Sequence, residues 1–304
     1  MIPLASADIA SAGPLAYVPN EKTGTISVID VATDKVVDTL KLGKRPRSVA
    51  VSADGKTMYI SDQLANALLF VDLATRQVVG SAALGDSPEA VYLSPDGSTL
   101  SVAIEENDTV ALVDAASRQV TRIKVPHKNP EHAVWSPDGR WLYVSAEEAK
   151  QLDIIDVGEK RVVKSLEVGD RPRGIGFLPD GSRAYVAAEN ADLVNVIDVA
   201  KQEILVKIKA GSRSNGVTVH PDGKKVYVSS GGEGMVQVID TASNTIVAKI
   251  ATGRRPWNMA LSPDAKKLYV ANGRSNSVSV IDTEKNVKIT DIAVGELPWG
   301  VVIR

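Results

Sequence analysis

The sequence predicts an all-β fold, a closed seven-bladed β-propeller, and two observations carry this prediction. An aspartate ends an apolar run seven times at a constant step of 42 residues, at Asp30, Asp72, Asp114, Asp156, Asp198, Asp240 and Asp282. Each unit also reads as four short strands separated by turn signals. A period near 40 with four strands per unit is typical of propellers, and seven units give seven blades.

The second repeat shows how one unit divides. We predict its four strands over residues 90–93, 100–102, 110–113 and 120–125. Pro95 and Gly97 mark the turn after the first strand, because proline fixes φ and glycine accepts a positive φ. Asp114 ends the third strand, where its side chain can accept hydrogen bonds from backbone N–H groups of the next turn. No stretch of the chain has a convincing helical period.

A tyrosine column supports the strand register. Six repeats place a tyrosine at the same point of the second strand, at Tyr17, Tyr59, Tyr143, Tyr185, Tyr227 and Tyr269. The remaining repeat has Ser101 there, and a four-residue turn places Tyr92 of the first strand opposite it. One large ring per strand pair is what a close-packed interior of fixed volume requires.

The two ends of the chain are predicted to complete one blade together. Residues 298–303 align with a first strand, and residues 15–42 supply the other three strands. Such a composite blade removes the free edges of an open stack. We therefore expect a single propeller over residues 14–304, after a leader of residues 1–13. The expected blades are residues 44–85, 86–127, 128–169, 170–211, 212–253, 254–295, and 296–304 with 14–43.

Composition excludes several classes of function. The 304 residues carry a formal net charge of −2, which argues against nucleic acid as a partner. The absence of cysteine excludes disulfides, thiolate metal sites, a cysteine nucleophile and haem attachment through Cys-x-x-Cys-His. No apolar run is long enough to predict a transmembrane helix.

The first residues suggest a compartment. Ala5-Ser6-Ala7 has the small-x-small form of a signal-peptidase site. We expect residues 1–7 to be the remnant of a signal peptide, with a plain leader as the alternative. The expected location is therefore periplasmic or secreted, and a monomer is expected.

Several short motifs resemble a known propeller family. Tyr59-Ile60-Ser61, Tyr185-Val186-Ala187, Val28-Ile29-Asp30 and Ser94-Pro95-Asp96-Gly97 resemble the Tyr-Val-Thr-Asn (YVTN) repeat over nearly all of residues 14–304. The resemblance implies the propeller fold. Members of that family include surface-layer proteins, secreted scaffolds and cofactor-bearing enzyme subunits, and fold does not determine function.

Two longer strings resemble a narrower group. They are Gly253-Arg254-Arg255-Pro256-Trp257 and Gly295-Glu296-Leu297-Pro298-Trp299-Gly300-Val301-Val302. Both are similar to strings in the propeller proteins encoded beside PQQ-dependent alcohol oxidation systems of bacteria. This resemblance implies a periplasmic protein that is accessory to a quinoprotein dehydrogenase.

Positions that vary between repeats are the candidates for a site, because structural columns should be uniform. The loop that enters each first strand opens at one mouth of the axial channel, where a protein or small-molecule ligand can bind. The predicted channel-mouth residues are Arg47, Glu89, Glu131, His132, Arg173, Asn215, Trp257, Asn258 and Trp299. Charge on this face is segregated, with glutamates in repeats two and three and arginines in repeats one and four to six. The two tryptophans are expected either to stand side by side as an interface anchor or to plug the channel.

His127 is the most anomalous residue of the chain, because the other six repeats have glycine at its position. With Glu131 and His132 it forms a group that could hold a divalent metal, Ca²⁺ or Zn²⁺. Pro130 bends this loop and no helix fixes the spacing, so an ordinary loop is the alternative. We predict no cofactor beyond such an ion.

Three functions remain open from the sequence. We favour a non-catalytic binding or scaffold propeller, because the chain has no Gly-x-Ser-x-Gly elbow and no glycine-rich phosphate loop. The first alternative is a metal-dependent hydrolase of the lactonase type. Its channel-mouth ligands would be Glu89, Glu131, His132, Asn215 and Asn258. The second alternative is a redox-enzyme subunit or cofactor carrier, with a haem ligand chosen from His127, His132 and His220.

Overall fold

A computed structural model describes residues 13–304 of the chain. All of the predicted leader except Gly13 lies outside the described residues. The described part consists of 28 strands and two short 3-10 helices, Glu105–Asn107 and Glu147–Ala149. Within residues 13–304 the structure contains no helix that could cross a membrane.

The strands form seven antiparallel sheets of four, one per blade. The outer strands of the closing blade come first, as β1 (Leu15–Asn20), β2 (Thr25–Asp30) and β3 (Lys35–Leu40). Blade 1 contains β4 (Pro46–Val51), β5 (Thr57–Asp62), β6 (Ala67–Asp72) and β7 (Gln77–Ala83). Blade 2 contains β8 (Pro88–Leu93), β9 (Thr99–Ile104), β10 (Thr109–Asp114) and β11 (Val120–Lys124). Blade 3 contains β12 (Pro130–Trp135), β13 (Trp141–Ala146), β14 (Gln151–Asp156) and β15 (Arg161–Glu167).

The second half of the ring repeats this pattern. Blade 4 contains β16 (Pro172–Phe177), β17 (Arg183–Ala188), β18 (Leu193–Asp198) and β19 (Glu203–Lys209). Blade 5 contains β20 (Ser214–Val219), β21 (Lys225–Ser230), β22 (Met235–Asp240) and β23 (Thr245–Ala251). Blade 6 contains β24 (Pro256–Leu261), β25 (Lys267–Asn272), β26 (Ser277–Asp282) and β27 (Val287–Ala293). The chain ends in β28 (Val302–Ile303).

Both termini build blade 7, which confirms the predicted composite blade. β28 pairs with β1, with Ala16 opposite Ile303 and Tyr17 opposite Val302, and the sheet order is β28-β1-β2-β3. A bridge between Asn20 and Pro298 extends the contact towards the channel mouth. The seven sheets therefore close into a ring, and the seven-bladed propeller predicted from the 42-residue period is confirmed.

The core is a ring of seven interfaces between adjacent blades. Each of the seven apolar clusters draws its residues from two neighbouring blades. The predicted register holds, with Ala50 opposite Tyr59 and Tyr92 opposite Ser101. Four tyrosines of the column are completely buried, namely Tyr143, Tyr185, Tyr227 and Tyr269. Tyr92 differs, because its half-buried side chain lines the axial channel.

The aspartate column caps the turn between the third and fourth strands of each blade. The carboxylate of Asp72 accepts the N–H of Thr75 at 2.7 Å, and that of Asp114 accepts the N–H of Ser117 at 2.6 Å. The same end of the ring is also tied across blades, since the Lys225 ammonium donates to the Thr283 carbonyl at 2.8 Å. These repeated bonds hold the blades in one register and leave the other end of the ring free to vary.

Candidate functional site

The predicted site residues all belong to one end of the propeller. We call it the loop face, the end that carries the connections from second to third strands and from each fourth strand to the next first strand. Six first strands begin with proline or serine, and proline is tolerated there because the first position of a strand needs no ladder N–H. The register of β4, β8, β12, β16, β20 and β24 shifts directly after this residue. Such bulges redirect a side chain out of the sheet, here at the predicted mouth positions.

Arg47 joins three carboxylates that come from three different blades. Its guanidinium lies 2.6 Å from Glu89, 2.8 Å from Glu21 and 3.2 Å from Glu131. Burial alone would lower the pKa of the Arg47 guanidinium, but the three carboxylates raise it above its usual value. Arg47 is therefore a permanent cation that cross-links blades 2, 3 and 7.

Arg173 also binds three carboxylates, on the neighbouring side of the channel mouth. It contacts Glu131, and it lies 2.9 Å from Glu147 and 2.9 Å from Glu189. Glu131 is thus held between the two arginines. Five arginines and five glutamates form this connected set, which we call the mouth network. Its members are Glu21, Arg45, Arg47, Glu89, Glu131, Glu147, Arg171, Arg173, Glu189 and Arg255.

Two neighbouring carboxyl groups of the mouth network have pKa values that are shifted in opposite directions. Burial would raise the pKa of Glu131, but Arg173 and Arg47 outweigh it and hold that pKa well below its usual range. Burial raises the pKa of Glu147 to about 8, and its hydrogen bond with Glu131 acts in the same direction, against Arg173 and Arg171. Near neutral pH, Glu147 is therefore a proton donor to the Glu131 carboxylate.

An aromatic stack lies beside the network. The rings of His132 and Trp299 are 5.6 Å apart at an angle of 21°, and the Arg47 guanidinium carbon lies 4.8 Å from the Trp299 ring centroid. His132 Nδ1 lies 2.5 Å from the Tyr92 hydroxyl. Burial lowers the pKa of His132 to about 4, although Glu131 opposes this, so the ring is neutral at pH 7.

The axial channel lies on the other side of this stack. It has a volume of about 430 Å³ and is lined by first-strand side chains such as Val51, Val91 and Leu261. Trp299 belongs to its lining, whereas Arg47, Glu89 and Glu131 do not. Trp299 is only 5% exposed. The mouth network and the aromatic stack together therefore separate the channel from the loop face, and we call the two together the plug.

The remaining predicted mouth residues lie around this plug. The Trp257 ring covers Gly273, where any Cβ would overlap it. Asn258 donates from its backbone to the Trp299 carbonyl at 3.3 Å. Asn215 is buried beside Gly174, with its carbonyl against that glycine. Ligand binding by any of these residues stays a prediction.

His127 takes part in a different contact. Its Nδ1 lies 2.7 Å from a carboxylate oxygen of Asp153, which is completely buried and also accepts a hydrogen bond from Ser165 at 2.6 Å. The ligand atoms of His127, Glu131 and His132 do not all come within 4.8 Å of one another, so the structure does not assemble the predicted metal group. The histidine that replaces the repeat's glycine is matched by a buried carboxylate.

A different trio of carboxylates does converge in the described part of the chain. Oxygen atoms of Glu105, Glu131 and Glu147 lie within 4.8 Å of one another. Glu105 accepts a hydrogen bond from Ser87 at 2.9 Å. Carboxylate oxygens are the ligands that Ca²⁺ prefers, but two of these three are already bound by guanidinium groups.

Glu21 was not identified as a site residue from the sequence, although the 42-residue alignment indicates it. Glu21 is 6% exposed and binds both Arg45 and Arg47. It lies exactly two repeat steps before Glu105 and three before Glu147 in the 42-residue alignment. Extending that loop column around the closing blade would have identified it.

The fold and the site together define the class of this protein. It is a closed seven-bladed propeller with an ionic plug at one mouth. The profile of the YNCE-like beta-propeller family matches residues 12–92 and 80–245. The chain belongs to this family. Comparison with curated protein sequences gives no match.

Solved structures share the fold at low sequence identity. Hydrazine synthase from Kuenenia stuttgartiensis is 24% identical with a TM-score of 0.80, over 88% of this chain and 92% of that chain. A protein of unknown function from Desulfotomaculum acetoxidans is 18% identical with a TM-score of 0.82, over 95% and 98%. A proposed 6-phosphogluconolactonase from Bacteroides uniformis is 20% identical with a TM-score of 0.80, over 96% and 100%. At these identities the likeness concerns the fold alone.

Proposed function

We propose that this chain is a non-catalytic binding propeller that works outside the cytoplasm and docks a protein partner on its loop face. The observation that carries the proposal is the mouth network. Arg47 and Arg173 each occupy three glutamates, so the acids and bases at the channel mouth are engaged with one another. A site built this way is rigid and electrostatically satisfied, which suits a docking surface better than a reaction centre.

The rim around the plug offers the charges that a docking partner would meet. Glu106 and Glu148 are exposed on one side, and Arg213, Arg254 and Arg274 are exposed on the other. Opposite charges on two sides of one face orient a partner during encounter and accelerate association at low salt. The rim therefore provides orientation, while the plug beneath it provides a fixed surface.

The narrower setting that we propose is the periplasm, with a PQQ-dependent dehydrogenase as the partner. Its support is the resemblance of residues 253–257 and 295–302 to propellers encoded beside such systems. In the structure, both strings contribute to the loop face, Arg255 to the mouth network and Trp299 to the aromatic stack. Each string thus contributes a residue to the end of the propeller that we assign to docking.

A binding measurement with matched charge reversals tests the proposal. Purified PQQ-dependent alcohol dehydrogenase is immobilised, and association of the propeller is followed by biolayer interferometry at about 50 and about 300 mM NaCl. Glu106→Lys with Glu148→Lys should slow association at least about tenfold at low salt. The control, Glu203→Lys with Glu284→Lys, makes the same charge change at the opposite end and should leave association unchanged. No binding by the unmodified protein would refute the dehydrogenase as partner, and equal loss in both variants would refute the loop face as the docking surface.

A metal-dependent hydrolase of the lactonase type is the second candidate, and the convergence of Glu105, Glu131 and Glu147 favours it. For this function the trio would have to exchange guanidinium contacts for Ca²⁺. Calorimetric titration with CaCl₂, paired with a lactone hydrolysis assay, tests it. Stoichiometric Ca²⁺ binding that disappears with Glu105→Gln would support the hydrolase, and the absence of Ca²⁺ binding would exclude this site.

A further inference from the structure

A second recess opens on the loop face between the loops of blades 5 and 6, where it adjoins the mouth network at Arg255. It has a volume of about 710 Å³, within the range of small-molecule sites. Four arginines line it, namely Arg213, Arg254, Arg255 and Arg274. The loop from Gly231 to Gly234, made of three glycines and Glu233, also lines it. We call this recess the arginine cleft.

The repeat explains why this recess holds more arginines than carboxylates. Arg45 pairs with Glu21 and Arg171 pairs with Glu147, in each case 24 residues earlier in the chain. By the same step Arg255 should pair with residue 231, but Gly231 stands where four other repeats have glutamate. Arg255 instead reaches Glu189, which already holds Arg171 and Arg173.

Arg213 is left without a carboxylate as a result. By the repeat step its partner would be Glu189, which is occupied by the other three arginines. Within residues 13–304, Arg213, Arg254 and Arg274 form no ion pair, and the Arg254 guanidinium donates only to the Arg274 carbonyl, at 3.0 Å. Glu233, the acidic residue of the cleft, accepts the backbone N–H of Ser212.

The arginines also repel one another. Burial lowers the pKa of the Arg255 guanidinium, and the charges of Arg213 and Arg274 push in the same direction, against Glu189. Like charges gathered at one recess are stabilised by a bound anion, and guanidinium forks match the oxygens of phosphate and carboxylate groups. One guanidinium group can bind both oxygens of a carboxylate. A phosphate group has three free oxygens and a second negative charge, so it can bind several arginines at once.

We propose that the arginine cleft binds a small molecule through a phosphate group, with Arg213, Arg255 and Arg274 as its contacts. The cleft is larger than inorganic phosphate, so the ligand is a phosphate ester whose remainder lies along the glycine-rich loop. Binding of this ligand needs no protein partner, because the cleft is complete within this chain, although Arg213, Arg254 and Arg274 also belong to the rim of the loop face.

Calorimetric titration with glycerol 3-phosphate, and with citrate as the carboxylate comparison, tests the cleft. Binding of glycerol 3-phosphate should weaken at least about tenfold in Arg213→Gln with Arg274→Gln, since each substitution removes charge-assisted hydrogen bonds. Both residues are exposed and unpaired, so the fold should not change. Arg161→Gln, an exposed arginine at the opposite end, is the control.

Gly231→Glu is the sharper variant, because it restores the residue that other repeats have. A Cβ there would lie 3.1 Å from Arg255 Cδ, a flexible side chain that can move, and the backbone is not left-handed. The new carboxylate should pair with the arginines and abolish binding of glycerol 3-phosphate while the protein stays folded. Equal binding by Gly231→Glu and the unmodified chain, no binding by the unmodified chain, or tighter binding of citrate would each overturn the proposal.

Discussion

The proton on Glu147 gives the mouth network a testable pH dependence. The perturbation is Glu147→Gln, because a glutamine amide can donate to Glu131 as the protonated carboxyl does but cannot ionise. The pKa of Glu147 is raised from an ordinary 4.5 to about 8 in the folded protein, chiefly by burial. The folded chain therefore keeps a proton that the unfolded chain releases between these two pH values.

The sign and size of the effect follow from this difference. The contribution of a group with a raised folded-state pKa is fully present below its unfolded value and is lost as pH rises towards the folded value. Relative to Glu147→Gln, the unfolding free energy of the unmodified chain should fall between pH 4.5 and about 8. The limiting slope is about 1.4 kcal/mol per pH unit, which over this interval gives at most about 5 kcal/mol.

Urea denaturation followed by tryptophan fluorescence at a series of pH values measures this slope. Glu148→Gln is the control, since it removes an exposed carboxylate from the same short helix. The unmodified chain and Glu148→Gln should lose stability in parallel, while Glu147→Gln should lose less. Superimposable curves for Glu147→Gln and the unmodified chain over this range would refute a shared proton between Glu147 and Glu131.

Three further predictions concern stability. Deletion of residues 297–304 removes β28 and should lower the melting temperature sharply by circular dichroism, and an unchanged value would contradict a closing role for this strand. Trp299→Ala empties the aromatic stack and should lower the unfolding free energy in urea by about 3–5 kcal/mol, whereas a loss below about 1 kcal/mol would show that the plug is not packed. His127→Gly should destabilise by about 1–3 kcal/mol because Asp153 loses a partner, and adding Asp153→Ala should restore most of it in a double-mutant cycle.

The fold could be predicted from the sequence because every level of its pattern repeats. The period set the number of blades, the facing pair of Tyr92 and Ser101 set the register, and the terminal strings set the closure. All of these depend on local strand pairing and on steps of 42 residues. Such features are visible without knowing how one blade sits against the next.

The site was predictable in its location but not in its contacts. The sequence placed Arg47, Glu131 and Arg173 at one mouth, and the structure brings them together. The sequence also predicted two separate lobes of charge. Beneath the exposed rim, the long side chains of Arg47 and Arg173 reach across neighbouring blades and pair with the acidic lobe, which the sequence did not indicate. Side-chain reach between blades is a property of the closed ring, which no single repeat displays.

Because the period is so strict, each repeat can be compared with the other six. Where one repeat has an unusual residue, a second residue of the chain contacts it. His127 replaces a glycine and meets the buried Asp153, and Gly273 makes room for the Trp257 ring. In both cases a second residue of the chain, Asp153 or Trp257, packs against or bonds with the changed position. Gly231 differs, because within residues 13–304 no carboxylate forms an ion pair with Arg213, and Glu233 accepts the backbone N–H of Ser212 instead. An unmatched loss of negative charge beside several arginines is what a site for an external anion requires.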